Sequence, residues 1–246
     1  MHNFRPSIQT VPPVVKNLII INVLMLLVTS ILQMRGFDLT RYLGLHYIES
    51  PDFKPYQLVT HMFMHGGILH LVFNMFALWM FGRVLESVWG PKRFFIFYFV
   101  TGLGAAALHS FVNYLEFHYL AGKMAPEMVQ MVMSRGPEIF AQGQNFSDPA
   151  AGKLNMLLNI PTVGASGAVF GILLGFGMLF PNTELMLLFP PIPIKAKYFV
   201  LGYGAIELFS GIANPSDNVA HFAHLGGMLF GFFMIKYWNK RTNHFY

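Results

Sequence analysis

Long apolar stretches alternate with shorter polar segments along the whole chain. Six of these stretches have about the 20 mostly apolar residues that a helix needs to cross a bilayer. The pattern therefore predicts an all-α membrane protein, a bundle of six transmembrane helices that forms a single membrane domain over residues 1–246. The predicted spans are residues 17–34, 68–87, 94–115, 163–180, 196–213 and 219–238.

The first apolar stretch follows a short, fairly polar segment, residues 1–16. No small-residue cleavage site follows this stretch, so it is expected to be a retained span rather than a cleaved signal peptide. Composition supports the membrane assignment, because 54% of the 246 residues are hydrophobic and only 11% are charged. An ordinary soluble domain is excluded at these values. The chain has no cysteine, which excludes disulfides and thiolate metal sites.

The distribution of the basic residues predicts the orientation in the membrane. If the N-terminus is cytoplasmic, ten of the sixteen basic residues fall on the cytoplasmic side: Arg5, Lys16, Arg83, Lys92, Arg93, Lys195, Lys197, Lys236, Lys240 and Arg241. The positive-inside rule then places both termini in the cytoplasm. The long segments 35–67 and 116–162 would be extracytoplasmic, in part as interfacial amphipathic helices. The expected location is the cell (inner) membrane, and no basic cluster stands clear of a membrane end to suggest nucleic-acid binding.

Polar residues lie near the starts of the second, fourth and sixth stretches. These spans run in the same direction, so His70, Ser166 and His224 are expected at one depth, near the outer face. Gly167 is followed at four-residue intervals by further glycines on its stretch, and Gly227 recurs likewise on the sixth, so each helix presents a groove for close packing. His224 shares the face of Gly227. Docking the two grooves would direct His224 at Ser166.

His70 and Asn74 are one helical turn apart and share a face. Both can donate hydrogen bonds to a developing oxyanion. Plain structural interpretations stay open for each polar residue taken alone. Serine and glycine in membrane helices are commonly packing devices, and His70, Asn74 or His224 can serve as hydrogen-bonding contacts between helices.

Three motifs occur in order on the second, fourth and sixth spans. The first is His61-Met62-Phe63-Met64-His65 followed by His70-Leu71-Val72-Phe73-Asn74, the second is Gly164-Ala165-Ser166-Gly167, and the third is Ala223-His224-Leu225-Gly226-Gly227. Together they resemble the rhomboid family of intramembrane serine proteases, over about residues 54–235 of this chain.

This resemblance implies an intramembrane serine endopeptidase that hydrolyses peptide bonds in or next to transmembrane segments of membrane-protein substrates. It implies that Ser166 is the nucleophile and His224 the general base, a dyad without a carboxylate. His70, Asn74 and the backbone N–H of Ser166 would hold the oxyanion. No cofactor or metal is implied. The implied partners are transmembrane protein substrates and the lipid bilayer.

Other positions are expected to support this site. Gly164, Gly167 and Gly227 belong to the motifs, and Phe170 occupies a position where relatives often carry a tyrosine against the catalytic imidazole. Where many relatives have a Trp-Arg pair, this chain has Tyr56-Gln57.

Two glutamates fall within predicted spans and need partners. Glu86 matches a family position that we assign to hydrogen bonding between helices. Glu207 is expected to be neutral and hydrogen-bonded, because an unpaired buried carboxylate is costly.

Two alternatives belong to other functional classes. A metal or haem membrane protein would use histidines near the outer face, namely His61, His65, His70, His221 and His224, and His61 with His65 has a spacing that can chelate a metal. The sequence has no HExxH motif, and no carboxylate accompanies this pair. A catalytically inactive rhomboid-like binding protein would be expected to lack Ser166 and His224.

Overall fold

The computed structural model describes residues 11–186, 191–213 and 220–241, which are mostly helical. In chain order the elements are α1 (Pro13–Gln33), α2 (Leu39–Leu43), α3 (Gln57–Thr60), a 3₁₀ turn (His61–Phe63), α4 (Ile68–Ala77), a π turn (Leu78–Gly82), α5 (Arg83–Ala121), α6 (Pro126–Ala141), α7 (Pro149–Asn159), α8 (Ser166–Leu179), β1 (Glu184–Met186), β2 (Pro193–Lys195), α9 (Ala196–Ala213) and α10 (His221–Arg241). Residues 1–10 of the predicted N-terminal segment and the predicted start of the sixth span at residue 219 lie outside the described residues.

Helices occupy all six predicted apolar stretches. Within the described residues, Pro13–Gln33 and the combined stretch Ile68–Ala121 are long and apolar enough to cross a membrane, and Ser166–Leu179 is a shorter apolar helix. The number of membrane spans and the orientation of the termini stay predictions. Large apolar side chains on α1, such as Leu24 at 54% and Ile31 at 53% exposure, point away from the protein.

The predicted second and third spans are joined by a sharp turn at Gly90 inside α5. Gly90 has a φ of +78°, a left-handed conformation that glycine adopts without strain, and Pro91 follows it. The indole of Trp89 then packs on Phe97 with ring centroids 4.8 Å apart. Eight residues of straight helix would separate the two by about 12 Å. The chain therefore reverses here, and two limbs of α5 pack on each other.

Close packing of α8 on α10 confirms the predicted glycine grooves. A methyl group on Gly227 would overlap the carbonyl oxygen of Gly167, and one on Gly231 would lie 3.4 Å from the carbonyl oxygen of Gly171. The two backbones are thus in direct contact along successive turns. This contact fixes the register between the two helices.

Helix α1 is tied to α5 by Glu86. The two carboxylate oxygens of this buried side chain accept hydrogen bonds from the backbone N–H groups of Val14 and Val15, at 2.9 and 2.8 Å. The first N–H groups of a helix have no intrahelical partner, and negative charge at this end is favourable. The expected hydrogen bonding of Glu86 between helices is confirmed.

The segment before α4 is organised by the fully buried Gln57. Its amide group donates to the carbonyl oxygens of Tyr42 and Asp52, at 3.1 and 2.9 Å. Its side-chain oxygen accepts from the backbone N–H groups of His46 and Lys54, at 3.3 and 3.1 Å. A glutamine therefore links four points of this segment at the position where many relatives were expected to carry arginine.

The segment 116–162 contains the end of α5 and the two helices α6 and α7. These elements share a small apolar core of their own, in which Val132, Ala151 and Leu154 are fully buried. Aromatic stacking of Phe117 on Tyr47, with centroids 5.0 Å apart, connects this core to the segment before α4. The two long connections thus pack together on the side of the bundle where α8 begins.

Candidate active site

The turn before α8 holds Ser166 through contacts with several elements. The N–H of Gly164 donates to the carbonyl oxygen of His61 at 2.9 Å. Thr162 exchanges two backbone hydrogen bonds with Leu45, at 2.9 and 2.8 Å, and its hydroxyl contacts the His109 ring nitrogen Nε2 at 2.8 Å. Sequence reasoning missed these anchors, because no local pattern pairs residues so distant along the chain.

Gly164 needs to be glycine for two reasons. Its φ of +129° is a conformation that residues with a side chain rarely adopt. A methyl group there would also lie 2.9 Å from the His70 ring and 3.5 Å from Oγ of Ser166. The glycine therefore lets the His70 ring approach the serine turn.

Ser166 and His224 are in hydrogen-bonding contact. Ser166 is the first residue of α8 and half-buried, whereas His224 lies in the first turn of α10 and is buried. The distance between Nε2 of His224 and Oγ of Ser166 is 2.9 Å. A hydroxyl on the nitrogen of a neutral imidazole is the arrangement of an activated nucleophile and its base.

Phe170 fixes the plane of the His224 ring. It lies one turn after Ser166 on α8, and its ring stacks on the imidazole with centroids 4.2 Å apart and planes inclined by only 4°. Tyr203 of α9 also packs on the Phe170 ring, with centroids 5.4 Å apart. The position expected to hold an aromatic ring against the imidazole does so.

A carboxylate lies on the other nitrogen of His224, in contrast to the expected dyad without one. Nδ1 of His224 is 2.9 Å from Oε2 of Glu207, and Nδ1 of His221 is 2.6 Å from the same oxygen. Glu207 is buried in α9 and hydrogen-bonded, as its sequence position led us to expect, but two imidazole nitrogens on one of its oxygens favour the ionised carboxylate rather than the expected neutral form. Sequence reasoning identified Glu207 as needing a partner but missed which partner it has. The HxxH spacing of His221 and His224, on one face of a helix start, was the available signal.

His70 and Asn74 line α4 beside the serine turn. The His70 ring is half-buried against Gly164, and its Nδ1 lies 3.4 Å from the N–H of Gly66. The buried Asn74 side chain donates to the His70 carbonyl oxygen at 3.0 Å. His70 is therefore brought to the serine, and Asn74 lies one turn further along the same helix.

The histidine pair with metal-chelating spacing has other contacts. Nδ1–H of His61 donates to the Gln57 carbonyl oxygen at 2.8 Å, while the His65 ring packs edge-on against His70 with centroids 5.0 Å apart. Burial lowers the pKa of both His61 and His65 to about 4. Among the described residues, the group whose potential ligand atoms lie within 4.8 Å of one another consists of Glu207, His221 and His224.

A small cavity adjoins Ser166 on the side of the 3₁₀ turn. Its lining includes His61, Thr162, Gly164 and Ala223, and its volume is about 10 Å³. This is the lower limit of the space that one water molecule requires.

Comparison with known proteins identifies relatives over most of the chain. The "Presenilin-associated rhomboid-like protein A, mitochondrial" of Danio rerio is 25% identical over 209 residues, covering 82% of this chain and 44% of the relative. The "RHOMBOID-like protein 12, mitochondrial" of Arabidopsis thaliana is 30% identical over 172 residues, covering 69% and 42%. The "Rhomboid protease GluP" of Bacillus subtilis (strain 168) is 25% identical over 179 residues, covering 72% and 25%.

The chain thus spans less than half the length of each of these relatives. The family model described as "Rhomboid domain" matches residues 52–241, a range that contains all three sequence motifs and the contact between Ser166 and His224. This range is more than half of the chain. The protein therefore belongs to the rhomboid family, and its rhomboid domain makes it an integral membrane protein.

Proposed function

We propose that this protein is an intramembrane serine endopeptidase that hydrolyses peptide bonds in or next to transmembrane segments of membrane-protein substrates. The observation that carries this proposal is the 2.9 Å contact between Nε2 of His224 and Oγ of Ser166. Membership of a family that includes a relative named a rhomboid protease supports it. Both residues stand in the motifs that the family resemblance assigns to catalysis.

The first half of the reaction forms an acyl-enzyme. His224 removes the hydroxyl proton of Ser166 while Oγ attacks the scissile carbonyl carbon, and the same imidazole then protonates the leaving amine. In the second half, His224 activates a water molecule that releases the acyl group. A cavity with room for about one water molecule adjoins Ser166.

The oxyanion would be held near the start of α8. The first N–H groups of a helix have no intrahelical acceptor and lie at its positive end, so the N–H of Ser166 is a suitable donor. His70 adds a ring nitrogen beside Gly164. The Asn74 amide has a second hydrogen beyond the one given to the His70 carbonyl oxygen.

In the proposed topology, the protein has six membrane spans and both termini lie in the cytoplasm. The apolar exposed surface of helices such as α1 suits contact with lipid rather than water. The distribution of basic residues supports an orientation in which the start of α8 lies toward the extracytoplasmic side of the membrane. A substrate helix must unwind locally there, because a hydrogen-bonded helix hides its carbonyl carbons from attack.

The proposal is tested with a fluorophosphonate serine probe on the detergent-solubilised protein. Wild type should be labelled, whereas Ser166→Ala and His224→Ala should not be, with each variant eluting as a folded monodisperse protein. The same set is then assayed for cleavage of a reporter whose transmembrane segment contains small residues. Labelling or cleavage that persists in either variant would overturn the assignment of the two residues.

A further inference from the structure

We propose that Glu207 is a positioning residue for His224, so that the site works as a Ser166–His224–Glu207 triad rather than a dyad. This inference rests on the proposed function and adds a residue outside the three sequence motifs. Its basis is the hydrogen bond between Nδ1 of His224 and Oε2 of Glu207, at 2.9 Å.

Helix α9 positions the Glu207 carboxylate next to His224. Its buried residues lie on one helical face, and Glu207 shares that face with Val200 and Gly211. A methyl group on Gly211 would lie 3.2 Å from Cβ of His221, so α9 runs close to the start of α10. Neighbours of Glu207 on the opposite face, Ile206 and Phe209, are exposed. A glutamate on the inner face of an otherwise apolar helix reaches the two histidines.

The hydrogen bond to Glu207 selects the tautomer of His224. A neutral imidazole carries its proton on one nitrogen and accepts on the other. A carboxylate oxygen can only accept, so Nδ1 of His224 carries the proton and Nε2 is left with its lone pair. That lone pair faces the Ser166 hydroxyl at 2.9 Å. Only this tautomer can remove the serine proton.

The Glu207 carboxylate also stabilises the positive charge that develops on His224 during the reaction. As the bond between Oγ of Ser166 and the carbonyl carbon forms, the carbonyl electron pair moves to oxygen and the hydroxyl proton moves to Nε2. His224 is then a cation with protons on both nitrogens, and the Glu207 carboxylate balances it across 2.9 Å. When the carbon–nitrogen bond breaks, Nε2 returns the proton to the leaving amine. Glu207 keeps its charge throughout.

His221 holds the carboxylate from the other side. Its Nδ1 lies 2.6 Å from the same Oε2 atom, and its ring is at about a right angle to that of His224, with an interplanar angle of 89°. Two imidazoles on one oxygen restrict the rotation of the Glu207 side chain. All three side chains are buried, which strengthens the electrostatic interaction within the group.

A purely structural role is the competing explanation, because the same hydrogen bonds join α9 to α10. The two roles differ in what they predict for folded protein. If Glu207 has a purely structural role, its replacement lowers the amount or thermal stability of folded protein and leaves turnover per folded molecule unchanged. If Glu207 positions His224, its replacement lowers kcat with little change in KM, because substrate binding does not involve Glu207.

The test compares Glu207→Gln with Glu86→Gln, which replaces another buried carboxylate, one that is hydrogen-bonded to the start of α1. Folded protein is quantified by size-exclusion chromatography, and kcat, KM and the fluorophosphonate labelling rate are measured for each. We expect Glu207→Gln to lower kcat and labelling by about 10⁴-fold, the loss typical when the carboxylate partner of a catalytic histidine is removed. Glu86→Gln should keep wild-type rates per folded molecule.

If Glu207→Gln does not fold, the tautomer of His224 in wild type decides the question. Nitrogen NMR of isotopically labelled histidine, assigned with His224→Ala, should show the proton on Nδ1. A proton on Nε2, or wild-type rates in folded Glu207→Gln, would overturn this inference while the proposed function stands. Absence of labelling in folded wild type would instead overturn the proposed function. Loss of labelling with a chelator and its recovery with Zn²⁺ would assign the cluster to a metal and overturn the triad.

Discussion

Gly227 of α10 lies against the carbonyl oxygen of Gly167 of α8, so closely that no side chain fits between the two backbones. Gly167 directly follows Ser166, and Gly227 is three residues after His224 in the same helix. The glycine contact therefore sets the distance between the two polar side chains. The packing of α8 on α10 therefore also determines the geometry of the candidate active site.

Replacing Gly227 with alanine should separate α8 from α10. The added methyl group would overlap the Gly167 carbonyl oxygen, and overpacking of this kind typically costs about 1–3 kcal/mol or more. We expect a lower melting temperature in detergent and loss of fluorophosphonate labelling. Gly202→Ala in α9 is the matched control, because nothing lies within 4 Å of the place that its added methyl group would occupy. Equal melting temperatures for the two variants would contradict the close contact.

Phe170→Leu should slow catalysis by removing the ring that stacks on His224. Aromatic stacking is worth about 0.5–1.5 kcal/mol, which corresponds to roughly a twofold to tenfold lower labelling rate. Phe170→Tyr keeps the ring, so it should keep the rate. Phe176→Leu, which removes a ring from the same helix where it packs on Phe81, tests for general loosening of α8. A rate in Phe170→Leu equal to that of Phe176→Leu would argue against a role in orienting the imidazole.

Asn74→Ala should slow acylation without unfolding the protein. Loss of one donor to an oxyanion typically costs about 10²–10³ in kcat. The matched control is Asn22→Ala in α1, since Asn22 is also buried and donates to the carbonyl four residues earlier, at 2.8 Å from Leu18. Both variants lose a side-chain hydrogen bond to the carbonyl oxygen four residues earlier, so a difference between their kinetics reports the loss of the oxyanion donor. Similar kinetics in the two variants would remove Asn74 from the oxyanion role.

The long apolar helices of this protein were predictable from its sequence because each carries a local apolar signal. The predicted stretch 196–213 coincides with α9, and the predicted stretch 163–180 starts three residues before α8 and ends one residue after it. Four-residue glycine spacing also predicted the docking of α8 on α10, since small residues at that interval have one main use between apolar helices. The contact of Ser166 with His224 follows from that docking.

Contacts made between distant loops and side chains could not be predicted in the same way. The Glu207 carboxylate can face several neighbours, and only the placement of α9 shows that it meets His224. The pairing of Leu45 with Thr162 joins residues more than a hundred positions apart with no shared pattern. The four hydrogen bonds of Gln57 likewise depend on where a loop turns. Each arises from tertiary packing, on which local periodicity carries no information.

Acidification should destabilise this protein through His61. Burial lowers its folded-state pKa from the ordinary 6.5 to about 4. Between these values the unfolded chain binds the proton and the folded protein does not, so stability is fully present above about pH 6.5 and falls as the pH drops toward 4. The loss approaches about 3 kcal/mol for one such histidine.

The measurement is the melting temperature in detergent at pH 7 and pH 5. His61→Gln keeps an N–H group that can donate to the Gln57 carbonyl oxygen but has no group that titrates in this range. Its melting temperature should therefore fall less between the two pH values than that of wild type. Met62→Leu, a substitution at the buried neighbouring position, should lower the melting temperature at both pH values and leave the difference unchanged. An unaltered pH dependence in His61→Gln would show that another group causes the acid sensitivity.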